Sequence, residues 1–315
     1  MSSFLKATAV QDSVLTALSR MLTFAPTVWR NAGGAFRGSE GDVITLRVPA
    51  YTTADSRNIR SGTTRTRRGL TETKVPVTLT KNLYRDVELT DEEQTLDILN
   101  FSRQVLNPML EGIARGIEDT LITVANAASY AYTETVDTSD PLDSVFAARK
   151  DLNDANVPFT NRYLALGSSV EYELLNSTNL RQVDASGSDA ELREGRLFRL
   201  AGFQVLSVPG LNPGDAYAYH QTAFTLANEA PIVPAGAPAG FTVSKDGFAI
   251  RMVQVLDSST ITNIVAGDVF VGAAVTKDYG AVAENGKFVP DESPDLENDT
   301  PVVVRAVKLQ LGASS

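Results

Sequence analysis

TDEEQTLDILNFSRQVLNPMLEGIARGIEDTLITVANAA, Thr90 to Ala128, is the stretch on which the reading of this chain turns. It opens with a helix start signal. Thr90 supplies a cap, Glu93 closes a capping box, and Asp91 and Glu92 sit beside the positive end of the helix dipole. An apolar stripe at helical spacing follows: Leu99, Leu106, Leu110, Ile113, Ile117, Leu121, Val124 and Ala128. One continuous helix over it would be about 57 Å long at about 1.5 Å per residue, more than a compact domain of this size uses. Pro108 interrupts it, removing a backbone donor and disfavouring helical geometry at Asn107. The pattern predicts a short first helix, a kink or break near Asn107, and a long second helix to about Ala128. Two meanings are open: an ordinary buried helix pair, or a spine that carries mechanical continuity across a flat subunit.

Upstream, GDVITLRVPAY (Gly41 to Tyr51) and KVPVTLTKNLYRDVEL (Lys74 to Leu89) read as strands. Between them Thr52 to Thr73 is almost free of apolar side chains and carries Arg57, Arg60, Arg65, Arg67 and Arg68. Two strands around a long polar tip predict a projecting β-hairpin arm, marginal alone in water because it buries no core. Three roles are open for its arginines. They are a solvated loop, a nucleic-acid contact without any aromatic residue for stacking, or charge-assisted docking on an acidic surface of another subunit. The chain's acidity, 38 acidic against 28 basic residues and a net charge of −10, favours the third. Residues 1–40 predict a short amphipathic helix, with Val10, Val14, Leu18 and Met21 or Leu22 on one face, stopped at Pro26. The turn-rich run Asn31 to Asp42 follows. Its GGAFRG lacks the glycine spacing of a phosphate loop and follows no strand.

Downstream, a linker (Ser129 to Leu142) leads to a helix over about Leu142 to Asn153. A short buried strand starts at Arg162, and a helix capped at Ser168 or Ser169 follows. This alternation predicts a mixed α/β unit. QVDASGSDAELREG reads as a mobile polar loop. Ala216 to Ala227 reads as a strand with His220 in or beside it, a packed or surface histidine and not a catalyst. Gly247 to Val282 reads as strand, polar or helical segment, strand, with Val269 to Ala274 suited to a sheet interior. Asp291, Glu292, Asp295, Glu297 and Asp299 form a solvated acidic linker whose spacing fits no EF-hand. Pro301 to Gly312 is a closing strand that adds to its own sheet or to a neighbour's.

A length of 315 residues points to about two domains, and 43% hydrophobic residues give ample core. Cysteine is absent, which excludes disulfides and thiolate chemistry. A single histidine excludes a multi-histidine metal site and argues against a histidine-dependent triad. No nucleophile elbow, nucleotide loop, metal cluster or paired carboxylate site appears, so no catalytic, cofactor or metal residue is assigned. An acidic chain repels phosphates and makes a poor sequence-independent nucleic-acid binder. Lys6, Asp12 and Arg20 interrupt any secretory signal. No run approaches the roughly 18 apolar residues that span a bilayer. The expectation is a soluble chain, intracellular where it is made.

Four stretches, in this order, resemble the major capsid proteins of tailed bacteriophages with the Hong Kong 97-like fold. The closer resemblance is to the P-twenty-two-type coat proteins. The first stretch is Lys74 to Ile122, with Leu96-Asp97, Phe101-Ser102 and Pro108 before a long helix. The second is GRLFRLAGFQVLSV (Gly195 to Val208). The third is YHQTAFTLANEAPIVP (Tyr219 to Pro234), with Ala223-Phe224, Leu226-Ala227 and a following proline. The fourth is GFAIRMVQVLDSS with GDVFVGAAVTKDYGAV, Gly247 to Val282. The resemblance implies an α+β fold with an N-terminal arm (1–42) and an extended hairpin loop over an adjacent subunit (43–80). A peripheral domain (81–132 and 241–285) would hold the spine, an axial domain would span 133–240, and an acidic linker and strand would close the chain (286–315). It implies pentamers and hexamers in an icosahedral virion shell, made in the bacterial cytoplasm. The shell would enclose double-stranded DNA without sequence-specific binding, with scaffolding, portal and decoration proteins as partners and no cofactor or membrane. The hairpin arginines would then grip a neighbour. Pro108, Gly112 and Gly116 would be joints, with Gly112 and Gly116 alternatively packing sites where another backbone approaches. Some shells of this fold cross-link through a lysine in the extended loop; residues 50–73 contain none. An encapsulin-like compartment and a soluble α/β enzyme are the alternatives.

Overall fold

The computed structural model describes Val14, Ala17, Leu18, 21–30, 43–48, Ala54, Ser56, 59–60, 73–89, 105–177, 199–259, 262–291 and 300–312. Its strands up to the spine are β1 (Trp29–Arg30), β2 (Val43–Val48), β3 (Thr73–Thr78) and β4 (Lys81–Leu89). The spine helix α1 (Asn107–Ala127) is followed by β5 (Thr133–Val136), α2 (Pro141–Asp154), β6 (Arg162–Leu166) and α3 (Ser168–Asn176). Then come β7 (Arg199–Leu200), β8 (Phe203–Ser207), β9 (Asp215–His220), β10 (Phe224–Glu229), β11 (Ala239–Lys245), β12 (Phe248–Asp257) and β13 (Thr262–Val275). The chain closes with β14 (Gly280–Val282), β15 (Phe288–Pro290) and β16 (Ala306–Leu311).

The 21 residues of α1 form because one face is apolar at the helical period: Met109, Leu110, Ile113, Ile117, Leu121 and Ala125 are all buried. Val124 and Ala128 are half-buried flanks. Pro108 does not break this helix. It is the second residue of the α-helix, in the first turn, where proline is tolerated. Leu106 before it is helical (φ −67°, ψ −44°), and a π-helical turn at Val105–Leu106 leads in. Asn107 is itself helical, against expectation, while the long second helix begins there as expected and the irregularity near it is the π-helical turn. The expected first helix, its Thr90 cap and Leu99 lie outside the described residues.

One sheet runs β1–β10–β13–β12–β11, with β4 added along β13. β13 is its keel. One of its edges pairs with β12 and then with β10, and the other pairs with β4 from Asn263↔Leu89 to Val271↔Lys81. α1 lies across this junction. Met109 Cε and Ile113 Cδ1 reach over Gly267 of β13, and Leu83 of β4 packs against Gly116. The core between them holds Phe224, Leu226, Ile250, Val269 and Val271. Val14 and Leu18 join it from the N-terminal helical stretch, on the face expected for them.

The second sheet runs β5–β16–β9–β6–β8–β7, with α2 and α3 packed on it around Leu152, Leu164, Leu174, Phe203 and Leu309. The closing strand β16 adds to the chain's own sheet, between β5 and β9. The cap of α3 is Gly167, not Ser168 or Ser169. No side-chain bond caps this end; Ser169 N and Val170 N donate to Pro213 O at 2.9 and 3.3 Å.

The expected strand Ala216–Ala227 is two strands. A 3-10 turn at Gln221–Ala223 separates β9 in the second sheet from β10 in the first. Strand pairing thus departs from the expected partition: Phe224–Glu229 pairs with the spine sheet, and Ala306–Leu311 lies inside the α/β sheet. Lys74–Leu89 likewise divides at Leu79–Thr80, where the chain leaves the hairpin for the sheet. The α+β class stands as expected.

Candidate intersubunit surfaces and joints

β2 and β3 form the predicted hairpin, in register from Val43↔Thr78 to Val48↔Thr73. Among the described residues this pair hydrogen-bonds as strands only to itself. Its root is fixed by packing: Val75 and Val77 are buried on Ala227, with Leu79 and Ala274 beside them, while Pro76 and Thr78 are exposed. Thr80 N donates to Val271 O at 3.2 Å just past the root. The root crosses β13 at Gly272, where an added Cβ would stand 2.0 Å from Thr78 O. Only a residue without a side chain permits this approach.

Of the hairpin arginines, Arg60 is described, exposed at the turn Ile59–Arg60. Arg57, Arg65, Arg67 and Arg68 lie outside the described residues, as do Glu292, Asp295, Glu297, Asp299 and the loop 178–198. Asp291 is exposed. Another acidic surface lies between β5 and α2, where Asp137, Asp140 and Asp143 are exposed. Burial, reinforced by Asp151, pushes the neighbouring Glu134 carboxyl above its usual range.

The three spine residues differ in environment. Pro108 begins α1. Gly112 faces open space, with nothing within 4 Å of an added Cβ. Gly116 is a packing site, with Leu83 Cδ1 at 3.1 Å from the added Cβ. The close neighbour is a side chain, not the backbone of another element.

His220 ends β9, buried, where the chain switches sheets. Its Nδ1 lies 2.9 Å from Thr222 Oγ1 and accepts from Thr222 N at 3.3 Å. Arg305 donates to Thr222 Oγ1 at 3.1 Å and grips Asp278 with two bonds of 2.9 Å. Burial, then Arg305 and Arg162, hold the imidazole below its ordinary pKa. His220 is a packed residue, the first of the two roles the sequence left open. Among the described residues no three metal-ligating side chains cluster, and no helix is long and apolar enough to cross a membrane.

Comparison with known proteins agrees with this architecture. A family model described as phage capsid protein matches residues 72–285. A structure from Mycobacterium phage Che8 superposes with a TM-score of 0.61 at 16% identity, covering 91% of this chain and 90% of that one. The capsid of cyanophage P-SCSP1u gives 0.59 at 12%, covering 93% and 87%. The virus-like particle from Pyrococcus furiosus gives 0.53 at 9%, covering 98% and 100%. No curated protein sequence matches. These likenesses are likenesses of fold, and the fold is the Hong Kong 97-like one. The family match runs from the hairpin through the spine and across strands of both sheets, so the chain belongs to the phage capsid protein family.

Proposed function

We propose that copies of this chain close into pentamers and hexamers of an icosahedral shell around double-stranded DNA. The observation that carries this reading is the β2–β3 hairpin, rooted on β13 and β10 but pairing as a sheet only with itself among the described residues. An arm of this kind gains stability by lying on something else. Copies related by rotation supply that surface through heterologous, ring-closing contacts. Arg57, Arg60, Arg65, Arg67 and Arg68 then grip acidic side chains of the adjacent copy. Pro108, Gly112 and Gly116 act as joints that fit one chain to rings of five and six. An acidic inner wall repels packaged DNA and keeps it free to leave. Scaffolding, portal and decoration proteins are the expected partners, and the virion is the expected location, after synthesis in the bacterial cytoplasm.

Purified protein should form particles tens of nanometres across in negative-stain micrographs. The triple charge reversal R65E/R67E/R68E should abolish or delay assembly without unfolding the subunit. Normal shells from that variant would overturn the docking role. A second reading, a compartment holding protein cargo, is favoured by the full-length likeness to the Pyrococcus furiosus virus-like particle. Extraction of the particle contents separates the two: DNA supports the genome shell, and a co-purifying enzyme supports the compartment.

A further inference from the structure

The segment Leu22–Arg30 touches the spine helix and a strand of each of the two large sheets. Thr23 N, Phe24 N and Ala25 N, at the start of a 3-10 turn, all donate to Glu118 Oε1 of the spine helix, at 2.8, 2.9 and 3.1 Å. Phe24 N also reaches Oε2 at 3.1 Å. The Phe24 ring is fully buried, edge-on to Tyr219 of β9 at 5.4 Å and to Phe224 of β10 at 5.8 Å. Thr27 Oγ1 donates to Phe24 O at 2.7 Å and is hydrogen-bonded to the Tyr219 hydroxyl. Trp29 and Arg30 then pair in parallel with Thr225 and Leu226 of the spine sheet. One short stretch therefore ties the spine helix to β9 of the second sheet and to β10 of the first.

We propose that Thr23–Arg30 is a clip that sets the angle between the spine helix and the α/β sheet, and that Glu118 is the positioning residue that seats it. Three backbone donors converging on one carboxylate fix the clip in position along α1 as well as in distance. The residue is a costly choice for mere cohesion. Burial pushes the Glu118 carboxyl above its usual range even with these donors against it. An apolar side chain would bury more cheaply, but it would leave Phe24 N and Ala25 N unpaired. What the carboxylate adds is direction. A chain that must fit more than one ring needs its hinge set by an element touching both sides of it. A seated clip allows one angle, and an unseated clip allows a range.

The inference rests on the shell reading for one of its two readouts. The full-length variants E118A, E118Q and Y219F are compared with the unaltered chain by hydrogen exchange on the unassembled subunit and by micrographs of assembled particles. E118A should speed exchange of the Phe24 and Ala25 amides at least tenfold while the amides of α3 keep their rates. Its particles should spread over a wider range of diameters. E118Q retains one acceptor oxygen but turns an amide toward Phe24 N, so its exchange should fall between the two. Y219F should loosen the Thr27 amide. Unaltered exchange at residues 23–27 in E118Q and Y219F would overturn the clip even if E118A does not fold. Loosened amides with particles of unaltered diameter would overturn its control of the angle. Absence of particles from the unaltered chain would instead overturn the shell reading, and the exchange arm would still judge the seating.

Discussion

Gly272→Ala tests whether the hairpin is rooted where the backbone of β13 leaves room for it. The new Cβ would stand 2.0 Å from Thr78 O, 2.7 Å from Thr78 C and 3.1 Å from Leu79 Cα. All three are backbone atoms, so no side chain can swing aside. Ordinary contact begins near 3.4 Å, so the root must withdraw by roughly 1.4 Å. That withdrawal strains Val75 and Val77 off Ala227 and lengthens the bond from Thr80 N to Val271 O past its range. Overpacking of this kind costs about 1–3 kcal/mol, and the lost bond about 1 kcal/mol. Alanine in place of glycine in a strand returns about 0.5–1 kcal/mol. The steric term wins, with a net loss of about 1–3.5 kcal/mol. Urea unfolding of the unassembled subunit should show it as a midpoint lowered by about 1 M, since slopes are about 1–3 kcal/mol per molar. The arm pivots about its root and extends some 20 Å over the six residues of β3. Assembly should therefore slow more than the stability loss alone predicts. An unchanged midpoint with assembly at the ordinary rate would refute the reasoning, because the hairpin would not then cross β13 at this point.

Gly112→Ala is the matched opposite. Its Cβ meets nothing within 4 Å, so the helix should gain about 0.5–1 kcal/mol. If the spine bends there, the change from precursor to mature shell should slow; a stabilised subunit with unchanged shell expansion would remove Gly112 from the joints. Arg251→Met strands the Asp268 carboxylate, which Arg251 Nε holds at 2.7 Å and which is nearly buried. A loss of about 3 kcal/mol in denaturant unfolding is expected, largely restored in R251M/D268L; equal losses in both variants would show that the pairing is not what matters. His220 carries the pH dependence above the carboxylate range. Its folded pKa is depressed, so the unfolded chain takes the proton first. Stability should therefore fall as pH drops through about 6.5. His220→Asn, whose amide oxygen can replace Nδ1 as acceptor, should flatten that slope, and an identical slope in both proteins would refute it. Glu118, with a raised pKa, acts with the opposite sign at lower pH, gaining stability as it protonates. Assembled shells should run as single chains on denaturing gels, because residues 50–73 hold no lysine; a covalent ladder would contradict this.

What was legible beforehand is what side chains write into their own spacing. The buried stripe of α1 and the hairpin strands follow from periodicity, because in each a side chain faces either core or water. The break at Gln221–Ala223 left no such trace. β9 and β10 are buried at every position, so no alternation marks where one sheet ends and the next begins. The place of β16 was open because its partners β5 and β9 are distant in sequence and its own pattern suits any sheet. Pro108 left a partial trace: it marks the start of the long helix at Asn107, but the same ring suits a helix's first turn, so Asn107 itself could stay helical behind a π-helical turn. Gly272 had a readable signal, a glycine inside the strand GDVFVGAAV, which marks close approach of another backbone. Glu118 had none. Its partners are backbone N–H groups 93–95 residues away, and an N–H belongs to every residue except proline. A glutamate in the middle of an amphipathic helix reads as solvated surface until the fold brings those donors to it. Contacts of that kind join parts of a chain whose sequences need share no pattern, and they are the contacts that set the angle between parts already legible one by one.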